Sequence, residues 1–402
     1  MLHTLSIRTE LSQKPILQFV RYYQVITIYF PLKSLLFRNF NICLDKCNSN
    51  YECDRGQTCY NQQCLKSCNQ ENDCQAGQYC HEDHKVCHDF CLSDQSCSTG
   101  YVCFNSKCVD KNSIPVSALL VGGTHAGNND ILQTAEIIPN KCSVPSLPKS
   151  LTEQPSLVLT SDNNILVCGG WHKVRTAECF ELKEKGWVHH SVLVKARSYA
   201  TAITMAKGTF MFGGSVDKFS WEWLPSGSST WVFGGSIPDP GFNRGCGVPI
   251  SSSEILLIGG RFTEKRILKF NVDTNEWTEI DKKLQPGRYG QGCVLFKNNI
   301  IVSGGKDRHG GKELKSTQII NKDNLTLSYG SDVKQIRYMY GLVIANYNNQ
   351  PTVLAFGGQH GGHTIEVWDP TSKSWSTSND LRFPERKCCF GALSVPTHLL
   401  CP

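Results

Sequence analysis

Cysteine is the residue type in this chain that promises most chemistry. Of the 21 cysteines in 402 residues, thirteen lie between Cys43 and Cys108. Cys47, Cys53, Cys59 and Cys64 are followed after three residues by Cys68, Cys74, Cys80 and Cys87. After three more come Cys91, Cys97, Cys103 and Cys108. A thiolate can hold a metal, attack an electrophile or form half of a disulfide. Zinc sites favour C-x2-C or C-x4-C with partner pairs. Here intervening runs of five residues dominate, and His81, His84 and His88 occur only in the middle unit. The spacing reads as three disulfide modules of four cysteines, each with three pairings open. A glycine three residues before each third cysteine (Gly56, Gly77, Gly100) supplies a backbone able to take positive φ. Such density belongs to an oxidising compartment, where a module without a sufficient core is held by cross-links. The ladder resembles the short disulfide modules of secreted animal proteins. Cys43 stands where the last cysteine of a preceding unit would stand.

Other chemistry is sparse. His360-Gly-Gly-His363 and His309-Gly-Gly place histidines on flexible glycine with no carboxylate fixed nearby, so they read as loop residues and no metal site is expected. Neither a G-x-S-x-G nor an H-E-x-x-H motif is present, and no catalytic residue or cofactor is assigned. Cys168 and Cys179 flank a tight loop and read equally as a cross-strand disulfide or as two buried thiols. Asn324-Leu-Thr326 is the one glycosylation sequon. With 41 basic and 35 acidic side chains the net charge is +6, and no run of five like charges appears, so nucleic acid is not implied. Residues 1–42 read as an irregular N-terminus. The apolar stretch 22–32 is a candidate atypical signal or anchor, too short for a confident membrane span, and membrane association stays open.

The elements that must position these residues announce themselves by glycine. Gly122-Gly123, Gly169-Gly170, Gly213-Gly214, Gly259-Gly260, Gly304-Gly305 and Gly357-Gly358 recur at intervals of 44 to 53 residues. Each pair closes a short apolar run, as in the EILLIGG that ends at Gly260. This period suits a four-stranded propeller blade. A tryptophan often opens a later strand, as Trp187, Trp231, Trp277 and Trp375 do. Arginine usually opens the strand before each pair: Arg197, Arg244, Arg288, Arg337 and Arg386. Gly234-Gly235 breaks the rhythm and belongs to an outer strand or its exit.

The apolar strand, double glycine and spaced tryptophan resemble the kelch repeat over about residues 113–396. The resemblance implies an all-β, six-bladed kelch-like propeller at 113–402, after three disulfide modules at 43–112. The first unit begins at its glycine strand, and an extra copy of the inner strand follows the last unit at 386–395. The C-terminus should therefore complete the first blade, which removes an exposed sheet edge. Cys246, Cys293, Cys388 and Cys389 then fall on inner strands. In kelch propellers the loops between second and third strands, and those entering inner strands, share a binding face. Carried onto this chain, the partner-binding candidates are Tyr199, Arg261, Tyr289, Arg308, Tyr338, His360 and His363, since arginine and tyrosine combine area with directed hydrogen bonds. The repeated arginines read rather as braces between blades. The expected function is extracellular binding of a protein or acidic glycan, without catalysis. The alternatives are a copper-dependent oxidase-like propeller or an intracellular kelch adaptor.

Overall fold

An apolar run of four to seven residues can be a strand only if both its faces find cover. The computed structural model shows how. It describes residues 53, 57–60, 63–69, 78–80, 87–89, 101–104, 107–110, 114–127, 130–139, 142–148, 153–172, 174–308 and 311–401. The readings placed on residues 1–42, Cys43, Cys47, Cys74, Cys91, Cys97, Gly56, Gly77, Gly100, His81, His84 and His309 fall outside these. The chain divides into two units at Ser113 and Ile114.

In the first unit, three hairpins carry the third and fourth cysteines of each module. Gln57–Tyr60 pairs with Gln63–Lys66, Gln78–Cys80 with Cys87–Asp89, and Tyr101–Phe104 with Lys107–Asp110. Cys59 faces Cys64, Cys80 faces Cys87 and Cys103 faces Cys108 across the pairs. The two cross-links among the described residues do not follow these facing pairs. Cys53 bonds to Cys64, second to fourth in its module, and Cys68 bonds to Cys80, first to third. These two pairings are complementary halves of one pattern.

The second unit is a six-bladed β-propeller. Blades 2 to 6 are antiparallel four-stranded sheets in sequential order. Their inner strands are Ser156–Leu159, Thr201–Met205, Cys246–Pro249, Gly292–Phe296 and Gly341–Tyr347. Blade 1 is built from both ends of the unit: Gly391–Pro396 pairs with Val116–Val121, which pairs with Ala135–Ile138. Cys142 and Cys401 add a disulfide across this blade, 259 residues apart in sequence. Gly234 and Gly235 lie within the outer strand Val232–Ser236 of blade 3. Among the described residues no helix is long and apolar enough to cross a membrane.

The core lies between blades. Period-2 alternation sends Leu119 and Val121 of blade 1 against blade 2, and Ala118 and Leu120 against blade 6. Each second strand is thus covered on both faces, which is why it reads as an unbroken apolar run. The contact between blades 3 and 4 is aromatic, with Phe210, Phe212 and Trp221 packed on Phe270 and Trp277. The tryptophans near the start of outer strands reach the preceding blade: Trp231 Nε1 donates to Ser191 and Trp375 Nε1 to Thr317.

Candidate functional site

In an antiparallel blade, the start of the inner strand and the end of the second strand lie at one edge, so both belong to one face of the propeller. Two residues before each inner strand, the backbone turns into the left-handed region: φ is 52° at Gln154, 60° at Tyr199, 55° at Arg244, 62° at Gly290, 54° at Met339 and 65° at Cys389. The amide of each donates to the carbonyl of its counterpart in the preceding blade. Tyr199 donates to Gln154 (3.4 Å), Arg244 to Tyr199 (3.3 Å), Gly290 to Arg244 (2.7 Å) and Met339 to Gly290 (2.9 Å). Cys389 donates to Met339 (3.0 Å), and Gln154 to Cys389 (2.8 Å). Six backbone hydrogen bonds therefore form a closed circle around the mouth of the channel.

Two residues upstream of this circle stand the anchors, Arg197, Phe242, Arg288, Arg337 and Lys387, all almost fully buried. Each arginine holds its own blade by donating to the carbonyl of the first glycine of the pair: Gly213 at 2.6 Å, Gly304 at 3.0 Å and Gly357 at 2.9 Å. The carbonyl of every anchor accepts the amide of the second glycine of the preceding blade, as Arg197 does from Gly170 at 2.7 Å. Bracing is thus the role of Arg197, Arg288 and Arg337, but each guanidinium braces its own blade, and the link between blades read from sequence is made by the backbone carbonyl. The role is corrected for the other two. In blade 4 the anchor is Phe242, packed with Leu268, and Arg244 lies two residues later, in the circle at the channel mouth. In blade 1 the anchor is Lys387, which donates to Thr134 and Glu136, and not Arg386.

Freed from bracing, Arg244 is the cation of the mouth. Its guanidinium stacks on Tyr199, with Cζ 4.0 Å from the ring centroid, and its Nη1 lies 3.4 Å from the Tyr338 hydroxyl. Its Nε is buried with no hydrogen-bond partner, and it makes no salt bridge among the described residues. Tyr289 meets Tyr338 edge to face at 5.6 Å. Tyr338, Met339, Cys388 and Cys389 form one buried cluster, with Tyr199 and Tyr289 packed on it. Burial pushes the Tyr199 phenol up to about 12 against the pull of Arg244, and raises Tyr338 further for the same reason. Burial also raises the Glu153 carboxyl, with Arg244 opposing. The arrangement presents phenolic hydroxyls and one guanidinium, with Glu153 near but not paired to it, in a partly desolvated mouth.

The structure thus brings Tyr199, Tyr289 and Tyr338 together and sets Arg261 and Arg308 apart from them. Those two arginines flank Phe262, at 5.4 and 4.6 Å from its ring, and Lys218 stands at 4.7 Å. Phe262 is 38% exposed, at the rim of a cavity of about 420 Å³ between blades 4 and 5. His360 pairs with Glu313 at 3.2 Å, and His363 Nδ1–H donates to the Phe383 carbonyl at 2.9 Å, so both serve loop structure. Asn324 is exposed at the tip of a blade 5 hairpin, its Oδ1 accepting from Thr326. Sequence reasoning missed Arg244 as a site residue, and Gln154, Met339 and the circle with it. The missed signal was spacing: Arg244 precedes its inner strand by two residues, as Tyr199 does, whereas Arg197 precedes its own by four. Cys168–Cys179 and Cys246–Cys293 are disulfides, the second joining the inner strands of blades 4 and 5, while Cys388 and Cys389 are free.

No family model matches the sequence, and no curated protein matches it. Among solved structures, one titled "Structure of YjhT" aligns at a TM-score of 0.51 and 15% identity, covering 67% of this chain and 95% of that chain. At that identity the likeness establishes the fold alone: this chain contains a six-bladed β-propeller.

Proposed function

We propose that this chain is an extracellular kelch-type binding protein, and that its channel mouth takes an acidic group, a carboxylate or sulfate, of a protein or glycan ligand. The observation that carries this is Arg244. The buried cations Arg197, Arg337 and Lys387 each have a glutamate, Glu222, Glu366 and Glu136 respectively. Arg244 makes no salt bridge among the described residues and is held instead by an aromatic stack, with the Glu153 carboxyl close enough to attract it but not paired with it. A guanidinium oriented in this way suits a planar acid, and surrounding phenols add hydrogen bonds to its other oxygens. The cations around Phe262, Lys218, Arg261 and Arg308, lie on the same face and outnumber the Glu264 carboxylate that meets Arg308 at 3.9 Å. Several disulfides support the extracellular assignment. The mouth holds, orients and releases, and we assign it no catalysis.

The test is binding of the full chain to immobilised oligosaccharides carrying carboxylates or sulfates, to their neutral parents and to oligoglutamate. Wild type should retain acidic probes and lose them as salt rises. Arg244→Ala should weaken retention by about 10-fold or more, and Arg244→Lys should recover little of it, because a lysine is not bidentate. Retention of the acidic probes by Arg244→Ala at wild-type strength would remove the proposal.

A further inference from the structure

Of the propeller's eight cysteines, six are joined in three disulfides, and Cys388 and Cys389 stand as adjacent thiols. Their sulfurs are 2.9 Å apart, inside van der Waals contact and short of a covalent bond. Neighbouring residues have Cα atoms about 3.8 Å apart, whereas ordinary disulfides span about 4.4–6.8 Å. A bond between neighbours therefore requires a backbone that brings the side chains onto one side. That backbone exists here. Cys389 is held at φ 65°, its amide on Met339 and its carbonyl on Gln154. Cys388 is held by pairing with Thr124 across the blade. Both cysteines are buried, 5% and 8% exposed, but they sit in the wall of the channel mouth. Only small reagents, a small oxidant or a small dithiol, can reach them.

We propose that Cys388 and Cys389 are a redox-active pair, interconverting between dithiol and vicinal disulfide, with a small neutral peroxide as oxidant and a dithiol as reductant. Cys388 is the attacking sulfur. The Cys389 thiol donates a hydrogen bond to it and holds its pKa below the ordinary thiol value. Cys388 thiolate attacks a peroxide oxygen, the O–O bond breaks, and the hydroxide released leaves as water with the proton Cys388 gave up. Cys388 is then a sulfenic acid. The Cys389 sulfur attacks it, the S–O bond breaks, and hydroxide departs as water with the Cys389 proton. In sum, two thiols and one hydrogen peroxide give one disulfide and two waters, with two electrons passing from sulfur to oxygen. A dithiol reverses the step by exchange and closes into its own cyclic disulfide. This chemistry is independent of what the mouth binds.

The test uses the folded full chain. After hydrogen peroxide, free thiols are blocked with N-ethylmaleimide in denaturant and the digest is weighed. With trypsin cutting after Lys387 and chymotrypsin after Phe390, the Cys388–Phe390 peptide, free of the Cys142–Cys401 bridge, should be lighter by two hydrogens and carry no label. Dithiothreitol before blocking should restore two labels. A chain isolated already in the lighter form supports the proposal equally, provided dithiothreitol restores both labels. In Cys389→Ser the partner thiol is gone, so dimedone should trap a sulfenic acid on Cys388, with no adduct in wild type. Two labels persisting after peroxide would overturn the proposal. So would sulfinic or sulfonic acid at either position, a bond to any other cysteine, or oxygen gained at Met339 alone.

Discussion

A guanidinium without water needs a counter-charge, and the blades answer that need differently. In blades 3 and 6 a glutamate on the third strand accepts from the anchor arginine and from the linker backbone three residues before it. Glu222 takes Arg197 Nε at 2.5 Å and the Val194 amide at 2.6 Å, and Glu366 takes Arg337 and the Lys334 amide. Blade 4 dispenses with charge altogether, setting Phe242 against Leu268. Blade 5 keeps Arg288 but offers Gln318, whose Oε1 accepts from Arg288 at 3.3 Å and from the Gln285 amide at 3.2 Å. Arg288 is fully buried, and burial pulls its pKa down to about 10. A glutamate there would keep both hydrogen bonds and supply the missing charge. Gln318→Glu should stabilise the propeller by about 1–3 kcal/mol, seen as a midpoint several degrees higher in a thermal melt. Glu366→Gln should do the reverse, by about 3–5 kcal/mol, because it strands Arg337. An unchanged melt for Gln318→Glu would mean Arg288 is already neutralised. These pairings were half legible in the sequence. The repeated arginine was visible, but a run of arginines before strands cannot show that one of them, Arg244, has slipped to another register.

At the scale of the element, the double glycine is the most legible feature because two contacts force it. A Cβ on Gly213, at φ 61°, would come within 1.9 Å of the Phe242 carbonyl. The Gly214 amide, at φ 118°, donates to that same carbonyl at 3.1 Å. The next blade approaches so closely that no side chain fits. Gly213→Ala should therefore cost at least about 2 kcal/mol, from left-handed strain together with overlap. Gly227→Ala, also left-handed at φ 71° but with nothing within 4 Å, should cost only about 1 kcal/mol. Equal losses in denaturant titration would show that conformation alone, and not the neighbouring blade, selects glycine. The candidate site was far less legible. Its residues come one or two at a time from six segments about 45 residues apart, and no local pattern links Arg244 to Tyr338.

At the scale of the molecule, the ring is closed twice, by the pairing of Gly391–Pro396 with Val116–Val121 and by Cys142–Cys401. The disulfide spans 259 residues against 11 for Cys168–Cys179. Restricting the unfolded chain is worth more for a longer loop. Replacing Cys142 and Cys401 by serine should cost up to about 5 kcal/mol, more than the same change at Cys168 and Cys179. Deleting residues 386–402 should abolish the cooperative melt, since it bares the edge of Val116–Val121 and removes a wall from the interfaces with blades 2 and 6. A truncated chain that melted as wild type would show that closure contributes nothing. The outline of this ring could be read from the sequence, because the glycine repeats open on a second strand and are followed by an extra inner one. The disulfide could not, since distance in sequence says nothing of proximity.

The circle of backbone hydrogen bonds at the mouth has a further bearing on recognition. The amides of all six circle residues are spent on one another, so none of these six has a main-chain donor to lend a visitor. At these places whatever enters meets the side chains, and these sit on a frame that holds whether the position carries Gln154, Tyr199, Arg244, Gly290, Met339 or Cys389. Selectivity and scaffold are uncoupled at these six places. The mouth works as a keypad whose keys can be exchanged one by one while the board beneath them stays the same.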